Sequence, residues 1–66
     1  MDNKEKERLL NFILDFSQLT IKYFADRNEV ATSNLYTGKV SIYKLRKIKK
    51  DIIEKIEEIE IRNNVY

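Results

Sequence analysis

The chain has no cysteine, no histidine and no proline, and one glycine in 66 residues. Each absence removes a class of structure. Without cysteine there is no disulfide to staple a small fold, and without cysteine or histidine the usual structural zinc sites are excluded. The commonest thiol and acid–base chemistries go with them. Long apolar runs are missing too: the longest uninterrupted stretches are two or three residues, as at Phe12-Ile13-Leu14. No transmembrane segment, membrane partner or signal peptide is expected, and the composition reads as that of a soluble cytoplasmic protein. What remains is 42% hydrophobic and 36% charged, which with so little glycine and no proline is a helical composition, neither disordered nor sandwich-like.

Length sets the next bound. Domains usually need at least about 50 residues, so residues 1–66 form a single helical domain. A chain this short buries only about 60% of the surface its unfolded form exposes. A partner, either a second copy or a bound macromolecule, is the expected stabiliser. The net charge of +2 is an average over two opposed blocks. Lys44, Arg46, Lys47, Lys49 and Lys50 form a basic run, and Asp51, Glu54, Glu57, Glu58 and Glu60, with Lys55 among them, form an acidic one. Local patches of this kind decide attraction to polyanions.

Four helices are predicted. The first covers residues 3–18. Asp2 and Glu5 make a capping-box-like start, and Leu9, Leu10, Ile13, Leu14 and Ser17 fall at helical spacing. Thr20 is the N-cap candidate for a short second helix, Ile21–Arg27, with Ile21, Phe24 and Ala25 on one side. Asn28 is the candidate left-handed turn residue, because asparagine tolerates positive φ better than most. A third short helix follows from Val30 to Tyr36, and Gly38 closes it as a C-cap. Ser41 can cap the last helix, about 42–62. There Ile42, Leu45, Ile48, Ile52, Ile53, Ile56 and Ile59 fall within an arc of about 140°, with Lys49 interrupting it.

At about 31 Å, the last helix is longer than three short helices obviously cover. Ile52, Ile53, Ile56 and Ile59 are therefore candidates for a self-association or partner interface. The alternative is that the first helix packs antiparallel along them. The charge order also opposes helix physics, which favours anions near the N-terminus and cations near the C-terminus. The i,i+4 pairs Asp51–Lys55 and Glu58–Arg62 recover part of the cost. Two functional explanations are a basic end that meets phosphate, and antiparallel pairing of two such helices with basic block on acidic block.

The segment from Leu19 to Ile48 contains Ala25, then Val30 five positions on, then Leu35 five further, followed by Thr37-Gly38-Lys39 and a helix from Ser41. This pattern resembles the helix-turn-helix of phage-repressor and Cro-type DNA-binding proteins, here over about residues 20–37. In that family a small residue in the first motif helix lets two helices cross closely, and the two aliphatic residues pin the second helix onto the first. Glu29 stands where the family prefers glycine, and the second motif helix is shorter than the family's by about three residues. The resemblance implies an all-α fold: a small bundle of about four helices with a helix-turn-helix and a long C-terminal amphipathic helix. It implies a recognition helix in the major groove, with Thr32, Ser33, Asn34, Tyr36 and Thr37 toward the bases and Lys39, Lys44 and Lys47 on phosphates. Asn34 could make the bidentate contact to adenine.

The expected function is a small DNA-binding transcriptional regulator of phage or mobile-element type, acting on double-stranded DNA as a homodimer. The alternative is a small helical protein-binding module, such as a phage-encoded inhibitor or adaptor that docks its C-terminal amphipathic helix on a host protein. No enzyme is expected, and no cofactor or metal. Asp15, Asp26 and Asp51 lie on separate segments, and the carboxylates lack the spacing of a calcium loop.

Overall fold

A computed structural model describes residues 2–64, with side chains described from 3 to 60. Four helices and no strand make up these residues: α1 is Asp2–Leu14, α2 Gln18–Arg27, α3 Thr32–Thr37 and α4 Ile42–Asn64. The expected all-α bundle is what forms. Its core takes Leu9 and Ile13 from α1, Ile21, Phe24 and Ala25 from α2, Leu35 from α3, Val40 from the following loop, and Leu45, Ile48 and Ile52 from α4. Leu10, Phe12, Leu14, Phe16, Val30 and Ile42 pack around it. No described helix is long and apolar enough to cross a membrane.

The first break falls earlier than the sequence pattern suggests. α1 ends at Leu14, not at residue 18, because Ser17 leaves the helix and caps α2 in place of Thr20. Ser17 has extended backbone angles, and its Oγ accepts from the Thr20 backbone N–H at 3.2 Å. A short polar side chain that satisfies a free helix N–H gains more there than inside a helix. Thr20 sits in the first turn, its Oγ1 2.9 Å from Ser17 Oγ. The Asp2 cap and the Arg62 end of the Glu58–Arg62 pair lie outside the described side chains. The Glu5 carboxylate takes a fork of two bonds from Arg46, at 2.6 and 2.9 Å.

α1 and α4 form the main packing pair. Glu5 meets Arg46, Phe12 lies under Lys49, and Phe16 borders the same groove as Ile52 and Ile56. The Glu5–Arg46 and Phe12–Lys49 contacts advance in the same direction along both helices, and Ile53 shares a groove with Arg8 and Leu9 of α1. Lys49 places its ammonium 5.5 Å from the Phe12 ring centre, which accommodates a cation inside the apolar arc. Ile52 is 2% exposed and belongs to the monomer core, which corrects its assignment to an intermolecular interface. Ile53, Ile56 and Ile59 are 38, 40 and 49% exposed. Among the described side chains the α4 core therefore stops at Ile52, and the helix continues to Asn64, about 18 Å further.

Candidate nucleic-acid interface

The connection between α2 and α3 is built around two residues with exchanged roles. Asn28 does not supply the left-handed turn. Its φ is −104°, and Glu29 takes the positive φ, 57°. The reason is tertiary. The Asn28 amide is buried, and its Nδ2 donates to Phe24 O at 2.8 Å and to Asp51 Oδ2 on α4 at 3.0 Å. Its backbone carbonyl accepts from Lys44 Nζ at 2.8 Å. Lys44 and Asp51, two turns apart on one face of α4, hold Asn28 between them. The reversal is displaced to Glu29, which is exposed and has no such constraint.

Past Glu29, the Val30 N–H returns to Ala25 O at 2.9 Å, which keeps Val30 in the turn and starts α3 at Thr32 instead of Val30. Ala25 and Leu35 are both fully buried, and Val30 is half-buried between them. Ala31 occupies the N-cap of α3 and makes no side-chain cap bond. At the other end Gly38 adopts φ 76°, and the Lys39 N–H reaches Asn34 O at 2.9 Å. A Cβ at Gly38 would meet only an ordinary contact with Leu10, so the backbone angle is what demands glycine there.

With Leu35 turned inward, α3 presents an uncharged polar surface. Ser33, Asn34, Tyr36 and Thr37 are exposed, and Thr32 is half-buried. Thr37 Oγ1 donates back to Ser33 O at 3.1 Å and lies 3.3 Å from Asn34 O, so its proton is engaged within the helix. Lys39 is exposed just after the helix.

The basic run does not form one patch. Lys44, expected on phosphate, is half-buried and its Nζ donates to the Asn28 carbonyl. Arg46 grips Glu5 and lies 5.8 Å over the Tyr43 ring, while Lys49 covers Phe12. Lys47 and Lys50 remain outward. Of the expected α4 pairs, Asp51–Lys55 does not form: Asp51 turns to Asn28, and Lys55 approaches Glu58 at 4.0 Å. The Arg46 hydrogen bonds, with the charges of Arg46 and Lys49 behind them, hold the Glu5 carboxyl below its ordinary pKa.

Sequence inspection missed the Asn28–Lys44–Asp51 lock. The i,i+7 spacing of Lys44 and Asp51 was visible, but nothing local marks Asn28 as their partner. No group of three or more metal-binding side chains occurs among the described residues. Comparison with protein-family models, curated proteins and solved structures finds no match.

Proposed function

We propose that the protein is a small DNA-binding regulator of phage or mobile-element type that lays α3 in the major groove. The observation that carries this is the α2–α3 turn. A positive φ at Glu29, between a buried Ala25 and a packed Val30, is the backbone shape for which helix-turn-helix proteins favour glycine at that position. The positive φ falls at Glu29, the position where the resembled family prefers glycine, and this supports the reading.

Two further features support a nucleic-acid partner. The exposed residues of α3 are hydroxyl, amide and phenol groups, which can donate to and accept from base edges, Asn34 to adenine in particular. The first turns of α2, α3 and α4 all lack an acidic residue, although helix N-termini favour them. Those ends are left compatible with phosphate. Lys39 and Lys47 are the phosphate contacts, and Lys44 holds the turn.

Fluorescence anisotropy with a random-sequence duplex tests this. The affinity of the unaltered chain falls between 50 and 200 mM salt, at roughly one unit of log–log slope per phosphate contacted. Lys39→Glu and Lys47→Glu each weaken binding and lower that slope by about one. Binding that ignores both substitutions, or no binding at low salt, rejects the DNA role.

A protein-binding module acting through α4 is the second reading. It is favoured by the apolar groove where Phe16, Leu19, Tyr23, Ile56 and Ile59 meet, with Leu19 82% exposed. A host-protein complex formed there would persist in salt and ignore Lys39 and Lys47.

A further inference from the structure

Lys49, Ile53, Ile56 and Glu60 follow one another at i, i+4, i+7 and i+11, so they form a single stripe along α4. The stripe carries at one end the half-buried Lys49, its ammonium 5.5 Å from the Phe12 ring centre, then two isoleucines 38 and 40% exposed in the middle, and an exposed carboxylate at the other end. Read in reverse it is its own complement. A second copy of α4 laid antiparallel about a two-fold axis between Ile53 and Ile56 sets Ile53 against the other copy's Ile56. It also sets Lys49 against the other copy's Glu60 at both ends. On one flank Lys50 lies about 3 Å along the axis from Glu57 of the other copy, and both are exposed.

We propose that the exposed stripe of α4 is a two-fold, antiparallel self-association seam, with Lys49–Glu60 and Lys50–Glu57 pairs between copies. Charge complementarity selects the occupant. In a parallel pair the basic run would face the basic run and the acidic run the acidic run, which repels along the whole contact. The antiparallel pair also accounts for the charge order of α4, which is unfavourable for a lone helix dipole and favourable for two opposed ones. The protomer core ends at Ile52, so pairing covers α4 where its own bundle leaves it bare. The seam uses neither α3 nor Lys39 and Lys47, and it stands or falls independently of DNA binding.

Sedimentation of the full chain without DNA, from micromolar to millimolar concentration, tests the seam. The expected result is a concentration-dependent species of twice the 8.0 kDa chain mass. Ile53→Ser with Ile56→Ser, both outside the core, abolishes it while circular dichroism shows the helices retained. At low salt, Lys49→Glu alone and Glu60→Lys alone each weaken dimerisation about fivefold or more, the scale of two surface ion pairs turned into repulsions. The two together in one chain restore it, because each copy again meets an opposite charge. Should Lys49→Glu perturb the fold through Phe12, Lys50→Glu with Glu57→Lys repeats the logic away from that ring. A monomer at every concentration overturns the seam. So does a dimer indifferent to the single charge reversals, which is the signature of a parallel or unrelated contact.

Discussion

Asn28 and Glu29 show how one residue's chemistry is decided by a neighbour far along the chain. Asparagine is the better left-handed residue of the two, yet it is spent on hydrogen bonds to Phe24 and Asp51, and glutamate takes φ 57°. A side chain with a Cβ in that region costs about 1–2 kcal/mol. Glu29→Gly removes that strain but adds about 0.4–1 kcal/mol of unfolded-state entropy. The expected net is a stabilisation of about 0.5–1 kcal/mol, or a few degrees in melting temperature for a chain of this size. Thermal denaturation followed by circular dichroism measures it, and a lower melting temperature would mean that the Glu29 side chain makes a stabilising contact. Asn28 also keeps its Oδ1 buried with no partner among the described residues, so the lock is held from the Nδ2 and carbonyl sides.

At the scale of elements, the helix ends separate what periodicity reveals from what capping decides. The apolar stripe of α1 was legible, as was the turn at Gly38, because spacing and glycine chemistry are local. The α1–α2 boundary was not, since Ser17 fits the stripe by spacing and leaves it to cap the next helix. Ser17→Ala tests this assignment. It removes the bond to the Thr20 N–H and is expected to cost about 1 kcal/mol, whereas a serine on an exposed helix face would change little. Urea denaturation distinguishes the two. α3 is the opposite case: six residues with no side-chain cap, held by Leu35 and by the carbonyl bonds at Gly38 more than by their own propensity.

At the scale of the whole molecule, a fork from Arg46 to Glu5 ties the first helix to the last. The fold lowers the Glu5 pKa, so it favours the charged carboxylate. The linkage then has one sign: its contribution is present above the usual carboxylate range and is lost as pH falls through the depressed folded value. Titration of the Glu5 carboxyl by nuclear magnetic resonance is expected to give a midpoint below the ordinary one, and Arg46→Gln to move it back up. A Glu5 midpoint at its ordinary value, unmoved by that substitution, would mean that the fork is not populated in solution. The basic run as a whole behaves differently from its appearance in sequence. Three of its five cations are turned to Asn28, Glu5 and Phe12, which leaves Lys47 and Lys50 outward.

The sequence by itself determined four helices, the glycine stop after α3, the core positions Ala25 and Leu35 and the amphipathic arc of α4, because these follow from spacing within one or two turns. Tertiary structure alone decided which turn residue takes positive φ, which lysine holds the turn and where along α4 burial ends. Asn28 meets Asp51 across 23 positions of sequence; Ile53 is turned about 100° around α4 from the buried Ile52, whereas Ile56 and Ile59 share the face of Ile52 and are exposed because the packed helices beside α4 end short of them. Ile52, Ile56 and Ile59 fall on one face of a helical wheel. The extent of their neighbours separates them, and that extent is a property of the assembled bundle.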